Sequence, residues 1–170
     1  MTQLALDAEA LYQQLCRQVA ALVQGSGAPA VGLVGIWSGG AWLAERLHKD
    51  LGLPGSAGSL SITLHRDDYA ERGLSSTQGA TRLPFEVDGR HIILVDDVLY
   101  TGRTIRAALN ELFDFGRPAQ VSLAVLVDRG GRELPVEAQC AAARLTLPAS
   151  QRLSLAQDEQ GQLTFALEGV

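Results

Sequence analysis

A chain of 170 residues is long enough for one hydrophobic core and short for two, so we predict a single domain over residues 1–170. The net charge is −5, and only one of the 14 basic residues is a lysine, which argues against nucleic acid as the main partner. No apolar run approaches the roughly 18 residues that span a bilayer, and the N-terminal residues lack a basic signal-like segment, so we expect a cytoplasmic protein with no membrane partner.

The first half of the chain alternates between helical and strand patterns. Apolar residues recur at helical spacing over residues 4–22, and a segment containing glycine and proline follows them, which predicts a first helix. An apolar run at 31–36 predicts a buried strand, and residues 41–51 predict a second helix after a Ser-Gly-Gly turn. Residues 59–65 alternate like a half-buried strand. Residues 66–84 are polar and aperiodic, and a loop of that length in a small domain is usually functional.

The second half continues this alternation and then changes. An apolar strand at 91–95 ends at an acidic pair, a helical pattern covers 104–115, and residues 120–127 predict another buried strand. Strands that alternate with helices indicate an α/β fold, with a mostly parallel central sheet flanked by helices. Beyond residue 129, β-like segments at 152–156 and 162–167 predict a small C-terminal appendage.

The acidic pair is Asp96 and Asp97, at the carboxyl end of a strand, where parallel sheets bind their ligands. Alone, such a pair is more often a helix cap or a solvated turn. Adjacent carboxylates repel each other, and burying them without partners costs several kcal/mol. They therefore need hydrogen-bond donors such as ribose hydroxyls, or a cation such as Mg²⁺.

The segment after the acidic pair has the features of a phosphate-binding loop. Gly102 permits a close approach or a positive φ, Thr101 and Thr104 supply hydroxyls, and the N–H groups of the next helix point outwards. The complete string, with its apolar strand, acidic pair and Thr-Gly-x-Thr before a helix, is far more specific than either half. Together the two halves suit one ligand, a sugar phosphate.

The string IILVDDVLYTGRT at residues 92–104 resembles the motif with which type I phosphoribosyltransferases bind 5-phosphoribosyl-1-pyrophosphate, or PRPP. Other strings are similar, in order, to one branch, the pyrimidine operon attenuation regulators with uracil phosphoribosyltransferase activity (the PyrR family). These strings are VGIWSGGAWLAERL, SITLHRDD, LPFEVDGRHIILVDDVLYTGRTIRAAL and FGRPAQVSLAVLVDRGGRELP. The resemblance is close over residues 33–135. It implies the type I phosphoribosyltransferase fold, with a small C-terminal hood over about residues 129–170.

The resemblance also implies a role for each matching residue. Asp96 and Asp97 would hold the ribose hydroxyls, directly or through Mg²⁺, and would stabilise an oxocarbenium-like transition state. Residues 66–84, including Arg66 and Asp67, would form a flexible loop that closes over the substrate. The other implied site residues form the PRPP and 5-phosphate loop (Val98, Leu99, Tyr100, Thr101, Gly102, Arg103, Thr104), the pyrophosphate loop (Ser38, Gly39, Gly40) and the base-binding segment (Val127, Asp128, Arg129).

Tyr100 bears on the choice of base. Purine phosphoribosyltransferases of the hypoxanthine and guanine type have an Asp at this position, which helps a purine nitrogen to lose its proton. A phenol with an ordinary pKa of about 10 is poorly suited to that task. The resemblance therefore implies a uracil phosphoribosyltransferase that makes UMP and pyrophosphate, with a purine enzyme as a weaker alternative.

A further alternative is a UMP-sensing attenuation regulator that binds pyr messenger RNA with weak or no catalysis. RNA binding is disfavoured, because RNA-binding members of the family have polar or basic side chains at five positions where this chain has Cys16, Ala20, Gly131, Glu137 and Ala143. Many relatives have Thr-Arg-Gly where this chain has Ser38-Gly39-Gly40, so a charge-assisted contact worth roughly 1.5–3 kcal/mol is missing and catalysis is expected to be less efficient. The resemblance also implies a homo-oligomer, a dimer or larger.

Overall fold

The structure is a computed structural model that describes residues 6–62 and 80–170. Three helices occur in these ranges, α1 (Ala8–Gln24), α2 (Gly39–Asp50) and α3 (Arg103–Phe113), and none is long and apolar enough to cross a membrane. A parallel sheet has the strand order β2-β1-β3-β4-β5, and β6 and β7 form a separate antiparallel hairpin. The strands are β1 (Val31–Ile36), β2 (Gly58–Leu60), β3 (His91–Leu99), β4 (Gln120–Asp128), β5 (Cys140–Arg144), β6 (Gln151–Gln157) and β7 (Leu163–Gly169).

The central sheet is covered by helices on both faces. Successive residues of a strand point to opposite faces, and the buried side chains divide accordingly. Leu33 and Ile93 belong to a cluster with the buried residues of α1 and α2, whereas Val34 and Ile92 pack with the buried residues of α3. The predicted α/β fold with a mostly parallel sheet is therefore confirmed.

Two differences from the sequence-based expectations concern strands. β3 does not end before the acidic pair but continues through it, because Asp96, Val98 and Leu99 remain paired with β4. β5 lies inside the range expected to form the hood, yet it pairs in parallel with β4 at the edge of the central sheet. Its run of alanines has a low β propensity, so the pairing with β4 determines this strand more than its own sequence does. The two predicted C-terminal segments are observed as β6 and β7.

The C-terminal hairpin docks on the face of the sheet that carries α1. Its side chains Leu155 and Leu163 are buried in the same cluster as α1 and α2. The Glu9 carboxylate accepts a hydrogen bond of 2.8 Å from the backbone N–H of Leu163, and bonds of 3.0 and 2.8 Å from the Arg46 guanidinium. The bond from Arg46 lowers the pKa of Glu9 below its ordinary value. One carboxylate therefore joins α1, α2 and β7.

The described residues on either side of residues 63–79 lie close together. Ser59 and Arg82 exchange two backbone hydrogen bonds of 2.8 Å, and the backbone N–H of Ser61 donates to Thr81 Oγ1 at 3.0 Å. Of the predicted strand over 59–65, the structure has only β2, Gly58–Leu60; residues 61 and 62 are not part of a strand, and residues 63–65 lie outside the described ranges. Arg66 and Asp67 of the predicted flexible loop also lie outside the described residues.

His91 is a buried structural residue at the start of β3. Its ring is 1% exposed, with Nδ1 2.8 Å from Ser26 Oγ and Nε2 2.8 Å from Ser122 Oγ. Burial lowers the pKa of His91 below its ordinary value. The neutral imidazole therefore ties the loop after α1 to the two central strands, β3 and β4.

We expect the free energy of unfolding to decrease as the pH falls below about 6.5, the ordinary pKa of histidine. There the unfolded chain takes up a proton that the folded chain excludes, so stability falls by up to about 1.4 kcal/mol per pH unit until the lowered pKa is passed. Urea unfolding between about pH 7.5 and 5.5 measures this slope, which should be shallower in His91→Gln but unchanged in His48→Gln, outside this network. An equally steep slope in His91→Gln would mean that another group takes up the proton.

Candidate functional site

The site is built at the carboxyl edge of the sheet, where the parallel strands β1, β3 and β4 end together. The loop from Trp37 to Gly40 follows β1, and the peptide bond between Trp37 and Ser38 is cis. Asp97 lies near the end of β3, and Asp128 ends β4. The topology therefore brings three of the predicted segments to one edge, although they are far apart in sequence.

The acidic pair is held by the backbone of its own strand. Asp96 is 7% exposed, and its Oδ1 accepts a hydrogen bond of 2.9 Å from the backbone N–H of Asp97. Asp97 Oδ1 accepts one of 2.8 Å from the backbone N–H of Val98. Burial, followed by the charge of the neighbouring Asp97, raises the pKa of Asp96 well above its ordinary value. The pair is thus a concentrated negative site that favours a proton, a cation or hydroxyl donors.

The predicted pyrophosphate loop lies directly against this pair. A Cβ atom at Gly39 would lie 2.6 Å from Asp97 Oδ2, and one at Gly40 would lie 2.2 Å from the carbonyl oxygen of Val95. Ser38 is the N-cap residue of α2 and makes no capping hydrogen bond through its side chain. The two glycines therefore let the first turn of α2 approach the carboxylates. Any side chain at position 39 would compete with Asp97 for space.

The predicted phosphate loop forms the N-terminal turn of α3. Gly102 is its N-cap residue and has a φ of 93°, in the left-handed region that favours glycine. Thr101 Oγ1 accepts a hydrogen bond of 3.2 Å from the backbone N–H of Arg103. Arg103 and Thr104 are exposed, and Arg103 forms an ion pair of 3.4 Å with Glu133. Backbone N–H groups, hydroxyls and a guanidinium are therefore gathered at a helix N-terminus, an arrangement that suits a phosphate.

Several predicted site residues can contribute little through their side chains. Leu99 and Val127 are buried in the two hydrophobic clusters, and Val98 is packed against one of them. At these three positions the main chain is the part that could face a ligand. The carbonyl oxygen of Leu99 already has a protein partner, because it accepts a hydrogen bond of 3.0 Å from the backbone N–H of Arg129.

Asp128, predicted in the base-binding segment, organises the turn that follows β4. Its Oδ2 accepts hydrogen bonds of 2.5 Å from Arg132 and 2.9 Å from Arg144, and its Oδ1 accepts one of 3.0 Å from the backbone N–H of Gly130. Burial acts to raise the pKa of Asp128, but these bonds and the two arginine charges lower it below its ordinary value. Both carboxylate oxygens thus have protein partners, and Arg132 and Arg144 had not been predicted as part of the site.

Arg129 is almost fully buried, at 4% exposed, and its guanidinium lies 4.0 Å from the centre of the Tyr100 ring. It donates to the carbonyl oxygens of Gln151, Pro148 and Leu147 at 2.8, 3.0 and 3.3 Å. Tyr100 itself is 37% exposed. The predicted base-binding segment is thereby joined to the phosphate loop on one side and to the hairpin on the other.

A cleft of about 1370 Å³ runs along the outer side of α2. The described residues that line it include Trp37, Arg46, Arg82 and Gln160. It contains neither the acidic pair nor residues 100–104, so size alone does not mark the site. The site is assigned from the residue types at the ends of the strands instead.

Comparison with known proteins identifies the family of the chain. The family model described as "Phosphoribosyl transferase domain" matches residues 5–144. A protein of Ralstonia nicotianae called "Bifunctional protein PyrR" is 53% identical over 171 residues, which cover 99% of this chain and 98% of that protein. A protein of the same name from Pseudomonas aeruginosa is 47% identical over 135 residues, or 79% of this chain and 77% of that protein.

Solved structures of hypoxanthine phosphoribosyltransferases share the fold. One from Staphylococcus aureus has a TM-score of 0.61 at 20% identity, covering 86% of this chain and 78% of that chain. One from Trypanosoma cruzi has a TM-score of 0.59 at 22% identity, covering 86% of this chain and 79% of that chain. The type I phosphoribosyltransferase fold expected from the sequence is therefore confirmed, and these distant structures say nothing about the base.

Proposed function

Because the chain belongs to the phosphoribosyl transferase domain family, we propose that it transfers the phosphoribosyl group of PRPP to uracil, forming UMP and pyrophosphate. The main support for this proposal is that an acidic pair, a glycine loop and a helix-capping Thr-Gly loop lie together at one edge of the sheet. These three features match the ribose, pyrophosphate and 5-phosphate groups of a single substrate.

Transfer of the phosphoribosyl group requires the protein to stabilise positive charge on the sugar. The bond from the anomeric carbon to the pyrophosphate oxygen breaks, a bond to a uracil ring nitrogen forms, and that nitrogen loses its proton. Asp96 and Asp97 lie close together on β3, so their carboxylates would stabilise an oxocarbenium-like transition state electrostatically. The backbone N–H groups of Gly39 and Gly40 would hold the departing pyrophosphate, and residues 101–104 would orient the sugar by its phosphate.

The acidic pair also suits Mg²⁺. In the described ranges no group of three or more His, Cys, Asp or Glu side chains could hold a metal ion. Mg²⁺, however, is commonly bound by one or two carboxylates together with substrate phosphates and water. Asp96 and Asp97 would hold it in this way, and its charge would offset the burial and the repulsion from Asp97 that raise the pKa of Asp96. When bound, the ion supplies positive charge for the pyrophosphate leaving group.

The choice of uracil rests on Tyr100. Its ring lies on the Arg129 guanidinium and its backbone oxygen accepts a hydrogen bond of 2.7 Å from Arg132. Tyr100 therefore puts a phenol, and not a carboxylate, at the position from which an aspartate would help a purine nitrogen to lose its proton. The relatives' name, "Bifunctional protein PyrR", is consistent with a pyrimidine substrate and with a second, regulatory role.

A UMP-sensing regulator that binds RNA is the alternative, and the same relatives' name is what favours it. Against it, Arg132 is already engaged by Asp128 in the described structure. Glu137 would add repulsion to RNA phosphates. Association into a homo-oligomer stays a prediction for either function.

Calorimetric titration with UMP, GMP, IMP and AMP in the presence of Mg²⁺ tests the base assignment. We expect UMP to bind at least tenfold more tightly than any purine nucleotide. Tighter binding of GMP or IMP would contradict the proposal. Binding of UMP without any turnover would favour the regulator.

The contact between Gly39 and Asp97 leads to a paired prediction. We expect Gly39→Ala to lower the rate of UMP formation roughly tenfold to a hundredfold, because the added methyl group displaces the flexible carboxylate of Asp97 from its position. In Gly40→Ala the methyl group would meet the backbone oxygen of Val95, which cannot move away as easily, so the main loss should be in stability. Steady-state kinetics and thermal unfolding of both variants check this. Equal losses of activity and stability in the two variants would contradict it.

A further inference from the structure

The buried guanidinium of Arg129 links two parts of the protein that the sheet does not connect. One face lies against the Tyr100 ring, 4.0 Å from its centre, in the loop that precedes α3. Its terminal nitrogens donate to the carbonyl oxygens of Gln151, Pro148 and Leu147, at the entrance to the β6–β7 hairpin. The loop between β3 and α3, the end of β4 and the entrance to the hairpin therefore meet at this side chain.

The segment after Arg129 fits closely around Tyr100. Gly131 has a φ of 73°, and a Cβ atom there would lie 2.4 Å from Cε2 of the Tyr100 ring, so only a glycine leaves room for this ring position. Arg132 donates to the backbone oxygen of Tyr100 at 2.7 Å, and the backbone N–H of Glu133 donates to the carbonyl oxygen of Thr101 at 2.9 Å. Residues 129–133 therefore hold both the ring and the main chain of the phosphate loop.

We propose that Arg129 and Tyr100 form a positioning pair that fixes the phosphate loop, residues 101–104, relative to the C-terminal hairpin. This inference rests on the proposed function and deepens it. Arg129 is assigned to positioning instead of to a contact with the base, because both terminal nitrogens of its guanidinium donate to carbonyl oxygens and the remaining donor, Nε, is buried without a hydrogen-bond partner in the described structure. Tyr100 contributes through its ring, which the guanidinium and Gly131 enclose, and not through its hydroxyl.

The expected kinetic signature follows from what the loop binds. A shifted loop would still hold the 5-phosphate, which is remote from the bond that breaks, so we expect the lost interaction to be about equal in the ground state and the transition state. Loss of such contacts raises KM and leaves kcat nearly unchanged. A defect in this pair should therefore raise KM for PRPP about tenfold, while kcat changes by less than about threefold and KM for uracil stays within about threefold.

A double-mutant cycle in the full-length chain tests the pair, using Tyr100→Leu, Arg129→Lys and the double variant. If the two residues act as one unit, the double variant has about the same tenfold increase in KM for PRPP as each single variant. If they act independently, the increases multiply to about a hundredfold, and the proposal is wrong. Tyr100→Phe keeps the ring and should have a lower KM for PRPP than Tyr100→Leu. Arg90→Lys is the matched control, because Arg90 lies 4.6 Å from the centre of the Phe85 ring in a second stacked pair outside the site, and it should keep the wild-type KM.

An unfolded Arg129→Lys variant and an inactive wild type have separate meanings. If the buried change Arg129→Lys prevents folding, judged by circular dichroism, the comparison of Tyr100→Phe with Tyr100→Leu decides, because Tyr100 is partly exposed. Equal KM values for PRPP in those two variants would overturn the proposal. A wild-type protein that neither binds PRPP nor turns it over would overturn the proposed function itself. An active wild type in which the two substitutions raise KM for PRPP independently would overturn the positioning pair alone.

Discussion

We expect Asp97→Asn to lower kcat for UMP formation about a hundredfold, the usual loss when one contact to a developing charge is removed. Asparagine has nearly the same shape and can still accept the hydrogen bond from the backbone N–H of Val98. It carries no negative charge, however, and so cannot stabilise positive charge on the sugar. The measurement is steady-state kinetics with saturating PRPP and Mg²⁺.

Asp88→Asn is the matched control, the same change near the opposite end of β3. Its carboxylate accepts a hydrogen bond of 2.6 Å from the backbone N–H of Arg117 and lies outside the site. We expect this variant to keep the wild-type kcat. An unchanged kcat in Asp97→Asn would show that the acidic pair is not at the reacting sugar.

The largest expected effect on stability comes from Asp128→Asn. The change removes the negative charge that binds both Arg132 and Arg144. The two guanidiniums are then left beside each other without it. Removal of one partner from a fully buried ion pair costs about 3–5 kcal/mol. Because the arginine side chains are 25% and 55% exposed, we expect a smaller loss of about 2 kcal/mol in the free energy of unfolding at neutral pH.

Urea unfolding of Asp128→Asn and of Arg144→Gln measures this contribution. Arg144→Gln should cost less, since it leaves the bond between Arg132 and Asp128 in place. The lowered pKa of Asp128 means that the contribution is present above about pH 3.9, the ordinary value for aspartate, and is lost as the pH falls below it. A loss in Arg144→Gln that equals the loss in Asp128→Asn would contradict the shared role of the two arginines.

The sequence predicted the elements whose patterns are local. Apolar runs placed β1 at 31–36 and β4 at 120–127, where the structure has Val31–Ile36 and Gln120–Asp128. Helical spacing likewise predicted α2 and α3 within a few residues. β5 was missed because five residues rich in alanine carry no strand signal, and its partner β4 provides the structure through hydrogen bonds.

The site was predictable where residue type alone implies chemistry. Asp96, Asp97 and Gly102 lie in a continuous string, and the structure places them where the carboxyl end of a parallel strand meets a helix N-terminus. The partners of Asp128 and Arg129 were not predictable, because the arginines, carbonyl groups and aromatic ring they contact are distant in sequence. Such contacts depend on how β5 and the hairpin pack, which no local pattern encodes.

The most direct test is release of pyrophosphate from PRPP and Mg²⁺ with uracil, guanine, hypoxanthine and adenine in parallel. We expect turnover with uracil alone, which would establish the transferase activity and the choice of uracil over purines. Turnover with a purine and not with uracil would contradict the base assignment. No turnover with any base, together with measurable UMP binding, would contradict the enzyme and favour the regulator.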